Sequence, residues 1–483
     1  GKRRLKSCSR NCHNTRSGVN GLRRTRTSDP VATQITDSLI YRNSWGTQET
    51  RAIFDDVPRT RAWLQILAVL AEAQAEVGLI PAEAAQQVAE TCRAVELDAE
   101  FFEEVRAGFE ATNHSTMGLI RAVQRRCPGD SGEWFYYGTT VQDVTDTWTM
   151  QAIGQVWEIL TRDLSALEAA LLRQAQTHRD TVMPGRTHGQ QGLPITFGFK
   201  LAIWAREIAR HRQRLLDLQP RIGVGQLAGG VGSLSSYGAA GMQLQQLFFV
   251  RLGLRSPDIV WNTARDVLIE WSQVLTLITG SGDKFGQEIY NLQRPEIGEV
   301  SEGFAAGTVG SITMPHKRNP EISEHLGTLA RVVRHNSALM AESQAHDHER
   351  DGRSWKAEWA ALPQTCMAAA KSVALTHEMI ANLQVHAKRM WANLEATQGF
   401  VLSEAVMLAL AKRVGKQTAH TLVYEAAMQA HEAQQSLQAA VLENAAIMAH
   451  LSPNEVEEMF DYRQATGLCG EFVDRVVRLA DSG

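Results

Sequence analysis

From about Ser38 onward, apolar residues recur three and four positions apart. Trp63, Ile66, Leu67, Val69, Leu70 and Ala73 open the series, the spacing of one helix face. Pro81 stands where a second helix would begin, because a first-turn proline loses no hydrogen bond. Acidic, alanine-rich helices are predicted to about Phe109. Between Asn113 and Gly138 the pattern breaks, and Pro128-Gly129-Asp130 and Ser131-Gly132 read as turns. The longest stripes follow: Ile153, Val156, Leu160, Leu164, Leu167 and Leu171; then Phe197, Leu201, Trp204, Ile208 and Leu215; then Val267, Trp271, Val274 and Ile278. Each spans several turns, as bundle helices require. Helices resume after Pro320 through Ile322, Leu326, Leu329 and Val333, and the tail from about Thr376 reads as a smaller helical domain. No stretch alternates at period two for long enough to suggest a sheet. The fold class is therefore all-α: three helical domains, 36–137, 138–375 and 376–483, with a long central bundle.

Residues 1–35 differ in kind. Lys2, Arg3, Arg4, Lys6, Arg10, Arg16, Arg23, Arg24 and Arg26 face one acid, Asp29, with few large apolar side chains. Such a segment packs no core and reads as a basic disordered extension. The remainder is ordinary for a globular chain: of 483 residues 44% are apolar and 21% charged, with a formal net charge of −4. That balance predicts neither nucleic-acid nor membrane binding, and no run of about eighteen apolar residues suggests a transmembrane helix. Six cysteines, Cys8, Cys12, Cys92, Cys127, Cys366 and Cys469, form no framework; with no signal-peptide pattern, a reducing cytoplasmic location is expected. Cys8, Cys12 and His13 lack a fourth metal ligand, so no metal is expected.

The chemistry gathers around residues 301–320. Gly307 and Gly310 free the backbone beside Ser311, while Pro315 and Pro320 stiffen it, a hinged flap on a firm base. Gly310-Ser311-Ile312-Thr313-Met314-Pro315-His316-Lys317-Arg318-Asn319-Pro320 resembles the G-S-S-x-M-P-x-K-x-N-P segment of the fumarase/aspartase superfamily, departing at Ile312. Two further stretches agree. Gly138-Thr139-Thr140-Val141-Gln142-Asp143 resembles that superfamily's G-x-T-S-x-D segment, with Val141 for the serine. Thr140 and Asp143 sit where a helix begins, a place that suits a substrate carboxylate or plain N-capping. Gly185-Arg186-Thr187-His188-Gly189-Gln190 resembles the G-R-T-H-x-Q segment of the adenylosuccinate lyase and carboxymuconate cycloisomerase branch. Residues 346–359, with His348-Glu349-Arg350 and Ala357-Glu358-Trp359, resemble the cycloisomerase stretch ending in A-E-W. Trp359 stands where adenylosuccinate lyases carry an arginine for the nucleotide phosphate. Asn113 and His114 depart from the apolar cycloisomerase pattern.

The resemblance implies a cofactor-independent lyase that eliminates a β-substituent from a small succinate, nitrosuccinate or an aminated succinate, and releases fumarate. Ser311 is expected as base and His188 as proton donor to the leaving group. Lys317 and Asn319 are expected to polarise a carboxylate. Thr140, Gln142, Asp143, Thr187, Gln190, Met314, Asn113, His114 and Arg350 are expected to contact substrate. The resemblance also implies a homotetramer with a twenty-helix core and sites shared between subunits, and carboxymuconate cycloisomerase and adenylosuccinate lyase remain alternatives. An inactive crystallin-like paralogue is a further reading, and the retained Ser311, His188, Lys317 and Asn319 argue against it.

Overall fold

The computed structural model describes residues 34–304, 307 and 309–481. The basic segment, with Cys8, Cys12 and His13, lies outside the described residues except for Gln34 and Ile35.

Five long helices carry the architecture: α1 (Val141–Thr177), α2 (Phe197–Leu218), α3 (Asp266–Gln293), α4 (Glu321–Glu342) and α5 (Gly352–Ala381). The stripes read from sequence are their seams. Ile153, Val156, Leu160, Leu164 and Leu171 of α1, Leu201, Trp204, Ile208 and Leu215 of α2, Trp271 and Ile278 of α3, and Leu326, Leu329 and Val333 of α4 bury into one core. Trp204 stacks on Phe285 across α2 and α3, ring centroids 4.5 Å apart.

Polar contacts fix the helix directions. Gln142 Nε2, at the start of α1, donates to the Asn262 carbonyl just before α3 at 2.8 Å. Arg265 and Glu358 pair there too, which brings in the start of α5. At the opposite end Gln174 of α1 donates to the Ile380 carbonyl of α5 at 3.3 Å. So α1, α3 and α5 begin at one end, called the near end. Helices α2 and α4 run back: Lys200 early in α2 pairs with Glu288 late in α3 at 2.7 Å, and Ser323 early in α4 touches Met379 late in α5. With 37 residues in α1, the two ends lie about 55 Å apart at 1.5 Å per residue.

Smaller cores cap the bundle. Helices Asp56–Glu76, Ala82–Ala94, Ala99–Thr112 and Met117–Gln124 pack at the near end. Their core also takes Leu227, Tyr237, Leu244, Phe248 and Phe249 from the segment between α2 and α3. Another core, with Val406, Leu410, Val423, Val441 and Val456, holds the C-terminal helices together. The last helix, Cys469–Asp481, returns to the bundle through Val473 and an Arg179–Asp474 pair with both contacts at 2.8 Å.

The all-α class holds, with two local corrections. Met117–Gln124 is helical inside the stretch that reads as a break; eight residues are too few to display a period. Strands β1 (Val182–Thr187) and β2 (Gln190–Thr196) form an antiparallel hairpin. Prolines at 184 and 194 and glycines at 185 and 192 hide its alternation. Two-residue strands β3 (Val300–Ser301) and β4 (Gln384–Val385) also pair. No single helix among the described residues is long and apolar enough to cross a membrane.

Candidate active site

At the near end, α1 begins on Thr140 and turns Gln142, Asp143 and Asp146 inward. Arg350, from the α4–α5 connection, donates through Nε to Gln142 Oε1 at 2.8 Å and through Nη1 to Thr140 Oγ1 at 3.3 Å. Its Nη2 is buried and has no hydrogen-bond partner among the described residues. Thr140, Gln142 and Arg350 thus form a compact polar group with the cationic Arg350 Nη2 left over.

Asp143 lies behind that group, 1% exposed. Its carboxylate accepts from the amides of Ala228 at 2.8 Å, Thr140 at 3.0 Å and Gly229 at 3.1 Å, and from the Thr139 hydroxyl at 3.1 Å. Burial pushes its carboxyl up to about 6, against the pull of those donors. In this chain its oxygens tie the 226–229 segment to the start of α1. Asn113 and His114 are exposed, Asn113 in a left-handed conformation at the end of its helix.

Beneath the group lies an ion cluster that carries no local sequence signal at its centre. Arg265 is 1% exposed and forks to Asp146 at 2.7 and 3.1 Å and to Glu358 at 2.9 and 2.5 Å. Burial raises the Glu358 pKa, with Arg265 pulling it down. The cluster ties α1, α3 and α5 at the level where Thr140 and Arg350 meet. Asp146 follows Asp143 by three, one helix turn on, and Glu358 lies in the A-E-W stretch; Arg265 could not be found from sequence.

The other motif residues sit at the far end. His188 and Gly189 form the two-residue hairpin turn, with φ of +52° and +75°, the doubly positive geometry a tight hairpin requires. Thr187, His188 and Gln190 are all exposed at its tip. Arg186 holds the stem by pairing with Glu299 at 2.8 and 2.6 Å; Glu299 is fully buried. The Ser311 loop leaves from the same place. Glu302 accepts from the first amides of α4, Ile322 and Ser323, at 3.1 and 2.7 Å, and so closes the loop's base. Ser311 Oγ accepts from the Met314 amide at 3.1 Å. Lys317 is exposed, Asn319 reaches Glu321 at 3.4 Å, and Ile312 stands 97% exposed.

A single chain therefore gathers its motif residues in two places, Thr140–Gln142–Arg350 at one end and His188 with Ser311 at the other. No hydrogen bond or ion pair among the described residues joins them. A family model described as "Lyase" matches residues 22–334. The chain belongs to the fumarase/aspartase superfamily. A second model, "Adenylosuccinate lyase C-terminus", matches residues 399–476. Among superfamily relatives, the N-acetyl-S-(2-succino)cysteine lyase of Dickeya dadantii is 40% identical over 451 residues, 93% of this chain and 98% of its own. The adenylosuccinate lyase of Methanocaldococcus jannaschii is 34% identical over 90% of this chain and 94% of its own. The crystal structure of 3-carboxy-cis,cis-muconate lactonizing enzyme from Pseudomonas putida superposes with a TM-score of 0.86 at 32% identity, covering 92% of this chain and 99% of that one.

Proposed function

We propose that the protein is a lyase that cleaves a 2-substituted succinate by β-elimination and releases fumarate, with a succinate thioether as the favoured substrate class. The observation that carries this reading is the end-to-end similarity to two N-acetyl-S-(2-succino)cysteine lyases, each 40% identical over at least 92% of this chain. The near end supports it: Trp359 and Trp355 meet edge to face at 4.8 Å, a surface suited to a small organic substituent rather than a phosphate.

The roles follow from the chemistry. Ser311 acts as its alkoxide, which the Met314 amide aimed at Oγ stabilises; it takes a proton from the carbon beside a carboxylate and becomes a neutral hydroxyl. Charge moves into that carboxylate, which Lys317 and Asn319 receive. The C–S bond then breaks with its electron pair going to sulfur, the carbon–carbon double bond of fumarate forms, and His188 returns a proton to the thiolate. A thiolate is the anion of an acid with pKa about 8.5, so it departs more readily than an amine.

Half-sites about 55 Å apart need a second copy to meet. We infer a homotetramer, supported by apolar side chains left uncovered on the bundle, among them Ile203, Leu277 and Leu339 at 49%, 50% and 38% exposure. A carbon–nitrogen leaving group is the second reading, favoured by the match to the adenylosuccinate lyase C-terminus. The test is fumarate release from S-(2-succino)cysteine with and without N-acetylation, nitrosuccinate, adenylosuccinate and argininosuccinate, with opening of carboxymuconolactone followed separately by the absorbance of the muconate. Equal yields of fumarate and free thiol are expected. Turnover of adenylosuccinate or the lactone, with none of either thioether, overturns the thioether reading.

A further inference from the structure

Tyr136 holds φ at +66°, a region that bulky side chains avoid at a cost of about 1–3 kcal/mol. Its neighbours explain why it cannot relax. Phe135 is 4% exposed in the N-terminal core. Gln74, 1% exposed, donates to the Tyr137 carbonyl at 2.7 Å. Gly138 lies so close to Tyr237 that an added Cβ would come within 2.5 Å of the ring. The chain is pinned on both sides, and the strain aims the Tyr136 ring inward.

There its hydroxyl is buried with no hydrogen-bond partner among the described residues. The Thr116 hydroxyl, on a residue 3% exposed, faces it short of full hydrogen-bond geometry and has no other partner among the described residues. Arg350 acts on the same phenol electrostatically, and its Nη2 is a further buried polar atom there without a partner among the described residues. Three buried polar groups, two hydroxyls and a guanidinium nitrogen, thus share one neighbourhood with no hydrogen bond closed to any of them among the described residues, an arrangement that is costly unless a ligand completes it. Asp143 cannot serve, since four donors already occupy its oxygens. We propose that Tyr136 and Thr116, with Arg350, form the subsite for one carboxylate of the substrate, and that Tyr136 is a specificity-determining residue. This deepens the function proposed above and rests on it for the identity of the substrate.

The chemistry selects a carboxylate. Two oxygens offer about four lone-pair sites, enough for a guanidinium N–H and two hydroxyls. A phosphate dianion would meet a single cation and the nearby charge of Asp143, and like charges at short range repel. Burial also pushes the Tyr136 phenol up, so it stays a neutral donor.

The test uses the full chain with Tyr136→Phe and Thr116→Val, and fumarate and succinate as probes. Loss of a hydrogen bond to a charged group is worth about tenfold or more in affinity. Tyr136→Phe is expected to weaken fumarate binding and raise KM by at least that factor, with kcat changed less than about threefold and the ligand-free melting temperature unchanged or raised. Wild-type affinity in Tyr136→Phe overturns the subsite, as does a lowered melting temperature with KM unmoved. Should Tyr136→Phe fail to fold, Thr116→Val decides by the same readouts. Weakened fumarate binding with no turnover of any succinate adduct overturns the proposed function alone. Turnover with KM unmoved in both variants overturns the subsite alone, and a wild type that binds no dicarboxylate overturns both.

Discussion

Arg265→Met tests whether the buried ion cluster holds the near end together. Arg265 makes four contacts of 2.5 to 3.1 Å with Asp146 and Glu358, and the three side chains are 1%, 3% and 4% exposed. Methionine fills similar volume but strands two carboxylates in the interior. Breaking a buried pair from one side costs about 3–5 kcal/mol, a large share of a domain's roughly 5–15 kcal/mol. The loss should depend on pH with a definite sign. Burial already raises the Glu358 pKa above its unfolded value while Arg265 opposes the rise; without Arg265 it rises further. A carboxyl raised in the folded state takes up its proton before the unfolded chain does, so stability is regained as pH falls through the folded value. Urea midpoints at fixed protein concentration should therefore show a large deficit at pH 7.5 that shrinks at pH 5.5. Adding Glu358→Gln should recover part of the deficit. A variant within about 1 kcal/mol of wild type at pH 7.5, against the 3–5 kcal/mol expected, would refute the reasoning, as would a deficit that acid leaves unchanged.

Ser311→Ala should lower kcat by about 10²-fold or more with no change in melting temperature, because the hydroxyl's hydrogen bond with the Met314 amide lies in a half-exposed turn; near-normal turnover removes Ser311 as base. Mixing inactive His188→Ala and Arg350→Ala proteins and allowing exchange should restore about one quarter of wild-type activity, the share of sites drawing both residues intact from different copies; no recovery despite mixed oligomers refutes shared sites. His211 is 3% exposed, with Nε2 at 2.8 Å from Ser281 Oγ and Nδ1 at 3.1 Å from Arg214. Burial and then Arg214 lower its pKa to about 4, so the unfolded chain, titrating near 6.5, binds the extra proton. Stability is present above that value and falls by about 2 kcal/mol between pH 7 and pH 5; His211→Gln should flatten that slope in thermal melts, and an unchanged slope refutes it.

The bundle was legible in the sequence because a helix is written locally. Leu160, Leu164 and Leu171 or Leu326, Leu329 and Val333 repeat at the helical period and bury together, whatever the distant chain does. The hairpin was not, since prolines and glycines erase the period of two, and its turn needs positive φ at His188 as well as at Gly189. Site chemistry divides in the same way. Ser311, His188 and Thr140 stand in contiguous stretches whose residue types announce a turn, a loop or a helix start. Arg265, Tyr136 and Thr116 have no such context. Arg265 matters because α1 and α5 bring Asp146 and Glu358 to it from 119 and 93 positions away, and Tyr136 because Gln74 and Tyr237 pin the chain on either side of it. Which end of the bundle each motif occupies is likewise tertiary: helix length times rise separates residues close in sequence, and charge burial and backbone strain exist only once distant segments have packed.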